Sequence, residues 1–158
     1  MMSTGASDHP EGWRTCRDNE YGFTLRHPPD WTPKGPTGRC VQLQRGEPSM
    51  PDGVPEVDAF IRVLPLEAEF PADYLRTEDE LAERQLEVGR GVAYSDRSEL
   101  VVNGLPGVRA RFRSAGPTPN WGVEYAIRKN DRILDAYVSR PSPEIEAEFD
   151  RVIRTLEW

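Results

Sequence analysis

The stretch WGVEYAIRKNDRILDAYVSR, residues 121–140, decides the fold. Asn130-Asp131 is a two-residue turn between two runs of alternating character, and so short a turn fixes the register of the strands it joins. Ile127 then lies opposite Leu134, Tyr125 opposite Ala136 and Val123 opposite Val138, all on one face, with Trp121 in the same inward phase. On the other face Arg128 meets Ile133, Ala126 meets Asp135 and Glu124 meets Tyr137. Apolar pairs on one side and mixed polar pairs on the other make the register self-consistent.

The residues that follow predict a helix. Ser142-Pro143 supplies an N-cap and a proline at the first helical position, with Glu144 and Glu146 near the positive end of the helix dipole. Ile145, Phe149, Val152, Ile153 and Leu156 then form one apolar stripe, and Arg151 and Arg154 fall in the last turns. A second helix is predicted between Ala72 and Val88. There Tyr74, Leu75, Leu81, Ala82 and Leu86 share a face, Thr77 and Glu80 have capping-box spacing, and Gly89 or Gly91 ends it.

Strands fill most of the remainder. Tyr21, Phe23 and Leu25 alternate with polar residues until Pro28-Pro29 stops the run. Val41 and Leu43 alternate with Cys40, Gln42 and Gln44, and Ala59 to Leu64 is another short run. Tyr94 to Val102 is read as a strand ended by a turn over Asn103-Gly104-Leu105-Pro106-Gly107, after which Val108, Ala110 and Phe112 alternate with arginines. Gly35 to Gly38 and Glu47 to Val57 are loops. Consecutive hairpins with one helix midway and one at the end predict an α+β domain, an antiparallel sheet with helices packed on it.

With 158 residues the chain suits one domain, expected over residues 13–158 behind a flexible arm over residues 1–12. Hydrophobic residues make up 37% and charged residues 30%, and the mean hydropathy is −0.67. No apolar run approaches the roughly 20 residues of a membrane-spanning helix. The net charge of −7 sets nucleic acid well behind protein as the expected partner. Eighteen of the 20 basic residues are arginine, which suits a high-GC bacterial source. Met1 to Glu11 has neither a basic start nor an apolar centre, so it does not read as a secretory leader. As printed the protein is expected in the cytoplasm, or in the cell envelope if a leader has been removed.

Cys16 and Cys40 are the two cysteines. Either they form a disulfide, in an exported protein, or they are free thiols in a reducing compartment. A zinc site would need His9 and His27 as well, and His9 falls in the arm. His27, Asp30 and Glu20 come nearest to an acid–base cluster. With no nucleophile or oxyanion donors beside them, His27 reads as a half-buried side chain closing a strand end. The acidic groups Glu67/Glu69, Glu78–Glu80 and Glu144/Glu146/Glu148 lack the central glycine of a calcium loop. No phosphate-binding loop, dinucleotide fingerprint, zinc-protease motif or nucleophile elbow occurs. No cofactor, metal or catalytic residue is expected.

Arg109, Arg111 and Arg113 share one face of a strand and can receive a carboxylate or phosphate from a partner. The competing reading is a face shielded by a neighbouring helix or by acidic side chains. Trp31 and Trp121 read as core rings, with a groove-lining anchor role as the alternative. Trp31 joins the three arginines as a candidate binding residue.

Trp13, Glu20-Tyr21-Gly22-Phe23, Pro28 and Trp31 resemble the opening pattern of PsbP-like and Mog1-like domains. The Gly104-Leu105-Pro106-Gly107 turn and the 125–140 hairpin, leading into a helix with Phe149, are similar as well. The likeness spans Trp13 to Trp158. It implies an α/β/α sandwich around a central antiparallel sheet flanked by helices. The family includes photosystem II extrinsic subunits, a Ran-binding nuclear-import factor and bacterial lipoproteins of unknown role, and it is united by binding rather than by a catalytic site. His27 stands where such domains often carry Tyr, and no leader with an acylated Cys is present. The implied role is a non-catalytic protein-binding module, with a small-molecule binder or enzyme using a pocket between helix and sheet as the alternative.

Overall fold

The computed structural model describes residues 11–46, 57–66, 75, 92–114 and 120–158. Among them are the strands β1 (Arg14–Arg17), β2 (Thr24–His27), β3 (Trp31–Lys34), β4 (Gln42–Arg45) and β5 (Val57–Pro65). β6 (Val92–Val102), β7 (Leu105–Ser114), β8 (Asn120–Lys129), β9 (Arg132–Ser139) and the helix α1 (Pro143–Arg154) follow. β1 and β2 pair with each other, and the remaining strands form one antiparallel sheet in the order β3-β4-β5-β9-β8-β7-β6.

The β8–β9 hairpin lies inside this sheet and has the register its turn dictates: Ile127 opposite Leu134, Tyr125 opposite Ala136, Val123 opposite Val138. α1 covers that face. Ser142 Oγ accepts from the backbone N–H of Ile145 at 3.2 Å, capping one of the helix's unpaired donors. Ile145, Phe149, Val152 and Ile153 are buried in one cluster with Val123, Tyr125, Ile127, Leu134, Ala136 and Val138. Phe149 packs edge-on to Tyr125 and stacks on Trp31. Burial of each such side chain is worth about 1.5–3 kcal/mol, so this contact dominates the helix's stability.

The second face of the hairpin is also buried. Ala126 and Ile133 join Val108, Ala110 and Leu75 in a separate cluster. Glu124 and Asp135, which the sequence pattern puts on a polar face, are therefore buried. The helix expected over Ala72–Val88 lies outside the described residues except for Leu75, which is buried. The arm expected over residues 1–12 likewise lies outside them except for Glu11 and Gly12.

Several expectations shift in detail. The turn expected over Asn103–Gly107 is shorter: Asn103 (φ 47) and Gly104 (φ 84) alone make it, because two left-handed residues match the twist of a tight hairpin. Leu105, Pro106 and Gly107 already belong to β7. β2 begins only at Thr24, because Tyr21 and Gly22 sit in a turn that Asp18 organises. β1 and β3 have no clear alternation in the sequence and are held by their partners.

Cys16 and Cys40 are joined by a disulfide, with a Cα–Cα distance of 5.7 Å and 24 residues of separation. Beside it, the buried Asp18 accepts from Arg39 Nε at 2.7 Å and from the N–H groups of Cys40 and Tyr21 at 2.9 Å. Burial alone would raise the Asp18 pKa, but these donors outweigh it and hold the carboxyl below its ordinary value.

Candidate functional site

Strand alternation places Arg109, Arg111 and Arg113 on the α1 face of β7, opposite Tyr125, Val123 and Trp121 of β8. Their environments then diverge. Arg109 Nη2 lies 2.5 Å from Glu146 Oε1, and its Nε donates to the Tyr125 hydroxyl at 3.1 Å. Arg111 reaches the same Glu146 oxygen at 2.6 Å and Asp96 at 3.5 Å. These two arginines tie the helix to the sheet, which is the shielded arrangement set against binding in the sequence. Arg113, one step further out, is exposed and has no ion-pair partner among the described residues.

Trp121 stands directly opposite Arg113 and is 45% exposed. Its expected core placement is therefore corrected. The cluster that α1 covers contains Val123, Tyr125 and Ile127 and stops short of Trp121. Periodicity gave the right face of the strand but not where its cover ends. A cleft of about 270 Å³ opens here, lined by Tyr94, Ser95, Arg111, Arg113, Trp121 and Gly122 among others. The strand backbones come close behind it, since a Cβ on Gly122 would lie 2.0 Å from the Val138 carbonyl oxygen.

Trp31 is 1% exposed, stacks on Phe149 and donates its indole N–H to Glu148. The ring is the core residue its sequence position suggests and, being buried, offers no surface for the candidate binding role. Glu148 also accepts from Arg45 at 3.2 Å, and Arg45 reaches Asp30 at 3.5 Å. Glu20 pairs with Arg39 at 2.9 Å. Asp30 and Glu20 are thus engaged by different arginines. His27 is buried; its Nδ1 lies 2.9 Å from the Pro28 carbonyl, and its Nε2 has no partner among the described residues. Burial lowers its pKa, favouring the neutral ring. The acidic groups at Glu67/Glu69 and Glu78–Glu80 lie outside the described residues, and Glu146 and Glu148 are already held by basic and indole donors.

No family model matches the chain, and no curated protein matches it. Solved structures do. The cyanobacterial PsbP of Synechocystis sp. PCC 6803 covers 99% of this chain and 98% of its own, with 11% identity and a TM-score of 0.58. This chain has a PsbP/Mog1-like fold. The Ran-binding protein Mog1p of Saccharomyces cerevisiae shares it, at 11% identity and a TM-score of 0.56, over 92% of this chain and 94% of Mog1p. A Pseudomonas aeruginosa protein of unknown function matches at 15% identity and a TM-score of 0.50, over 92% and 96% of the two chains. The likeness in the sequence motifs thus extends to the fold. Among the described residues a helix covers one face of the antiparallel sheet, which is coarser than the sandwich flanked by helices on both sides. No helix among those residues is long and apolar enough to cross a membrane.

Proposed function

We propose that the protein is a non-catalytic protein-binding module that docks a partner through the end of its sheet where Arg113 and Trp121 meet. The observation that carries this reading is their pairing: an exposed guanidinium without an ion-pair partner among the described residues, opposite an exposed indole, beside an open cleft. Tryptophan and arginine are the residues that most often anchor interfaces. The fitting partner presents a carboxylate next to an apolar side chain, the first for Arg113 and the second for the Trp121 face. That Mog1p is a Ran-binding protein supports a docking use for this fold without naming the partner here. The helix–sheet interface, by contrast, is filled by Tyr125, Phe149, Val152 and Ile153. That packing favours docking at the surface over a ligand enclosed between helix and sheet. The domain is taken to span residues 13–158, with its interaction surface at this corner.

The test is site-specific photo-crosslinking in cells of the source organism, with the crosslinker at position 121 and a control at the exposed Arg128. A protein captured at 121, absent at 128 and lost when Arg113→Glu is added, is the expected result. Equal capture at both positions, or capture indifferent to Arg113→Glu, overturns the reading.

A further inference from the structure

Two carboxyl groups are buried side by side on the sheet face away from α1. Glu124 of β8 is 6% exposed and Asp135 of β9 is 0% exposed. Their registers, Glu124 opposite Tyr137 and Asp135 opposite Ala126, make them diagonal neighbours on that face, within hydrogen-bonding reach. Asp135 Oδ2 accepts from Arg62 Nε at 2.8 Å, directly across from β5. Glu124 Oε1 accepts from the Tyr94 hydroxyl at 2.9 Å, reaching over β7 from β6. Among the described residues, the buried Asp135 Oδ1 has no hydrogen-bond donor.

A buried carboxylate oxygen without a donor is costly, and two adjacent buried carboxylates are costlier still. Among the described residues the groups facing Glu124 are Arg62 from β5, Tyr94 from β6, and Asp135 and Tyr137 from β9, with Asp58 of β5 beyond Tyr137. Beside Glu124, β7 sets the apolar Val108, Ala110 and Phe112 on this face. One guanidinium therefore stands against two carboxyls. A single proton resolves both problems: carried by Glu124, it is donated to Asp135 Oδ1, and Asp135 remains the carboxylate that balances Arg62.

We infer that Glu124 and Asp135 share one proton in the folded protein, so that the pair is a pH-sensitive element built into the sheet. Burial, and then the neighbouring Asp135, push the Glu124 pKa well above its ordinary value, in keeping with that arrangement. In the unfolded chain Glu124 titrates near the ordinary carboxyl value of about 4.3. Above that pH the folded state binds one more proton than the unfolded state. Stability on this account is greatest on the acid side and falls as pH rises towards the pair's raised pKa, by about tenfold in the folding constant for each pH unit.

The experiment compares chemical denaturation of the wild type and Glu124→Gln between about pH 5 and about pH 9, since the amide reproduces the protonated carboxyl's donor and acceptor. The expected result is a fall in the wild-type folding constant, relative to the variant, of at least about tenfold across the interval. Parallel pH profiles overturn the proposal. Carboxyl-carbon NMR of the wild type decides the matter even if the variant does not fold. One of the two carboxyls remaining protonated at neutral pH supports the shared proton, and ordinary acidic titration of both refutes it.

Discussion

The Tyr125 hydroxyl donates to Asp150 of α1 at 2.8 Å and accepts from Arg109 Nε at 3.1 Å, so one buried phenol links β8, β7 and the helix. Burial, with Asp150 beside it, pushes the Tyr125 pKa up, and the hydroxyl stays protonated at any physiological pH. Its ring meanwhile packs edge-on to Phe149. Tyr125→Phe keeps that packing and removes only the polar link. The expected cost is about 1–2 kcal/mol, because Asp150 loses a donor and Arg109 an acceptor. Urea denaturation measures it, and a change within error of zero would show that water replaces the hydroxyl without loss.

The three arginines of β7 are expected to behave differently although the sequence sets them in one row. Arg109→Ala leaves Glu146 and Asp150 short of a guanidinium in a partly buried setting, and about 1–3 kcal/mol of stability is expected to go with it. Arg113→Ala touches no described partner and should stay within about 0.5 kcal/mol of the wild type. Thermal or chemical melts of the two variants side by side give the answer. Equal losses would mean that the row acts as a unit after all.

What was legible in the sequence follows the strength of its local signals. The Asn130-Asp131 turn fixed every pair of the β8–β9 hairpin, and the Ser142-Pro143 start with its apolar stripe fixed α1, because both patterns are short-range and internally redundant. The arginine row was legible as one face, but not which of its members α1 would cover. That depends on how Glu146 and Asp150 are aimed, a tertiary fact. Trp31 takes the core place expected of it, whereas Trp121 does not, for the same reason: strand phase says which way a ring points, not whether anything lies above it. Glu124 and Asp135 read as polar-face residues because alternation alone assigns one wet side to a hairpin, whereas this hairpin is covered on both.

Opening the Cys16–Cys40 disulfide should be costly. It closes a loop spanning 24 residues and stands next to Asp18, whose carboxylate accepts from the Cys40 backbone N–H. Loop-closure entropy predicts a loss of about 3 kcal/mol on replacing both cysteines with serine. Mass spectrometry with thiol alkylation establishes the bond in the purified protein. A double-serine variant as stable as the oxidised wild type would count against a structural role for it.

Gly122 is a position where any side chain should fail. Its Cβ would meet the Val138 carbonyl oxygen at 2.0 Å and the Phe112 ring at 2.9 Å, and the first of these is backbone that cannot swing aside. Gly122→Ala must therefore push β8 away from β9 beside Trp121 and is expected to cost about 3 kcal/mol or more, at the upper end for overpacking. Soluble yield and circular dichroism melts suffice to check it. A well-folded, equally stable alanine variant would show that the strands can separate there cheaply.

His27 sets the acid side of the stability profile. Burial holds its pKa below the ordinary 6.5, and its Nε2 has no hydrogen-bond partner among the described residues. The unfolded chain therefore takes up a proton on His27 at a higher pH than the folded one does. The stability from keeping the ring neutral is full above about pH 6.5 and drains away as pH falls towards the depressed folded value, by up to about 1.4 kcal/mol per pH unit. This is the opposite slope to that of the Glu124–Asp135 proton. Asp18, held below its ordinary value, weakens the fold only lower still, below about pH 4, and the Glu124–Asp135 proton is common to the wild type and a His27 variant, so above about pH 5 the His27 contribution is the difference between the two. His27→Phe keeps a buried ring, and between about pH 6.5 and about pH 5 the wild type should lose stability relative to this variant, whatever the substitution does to absolute stability. If the urea midpoints of wild type and variant run parallel in that interval, another group is taking up the proton.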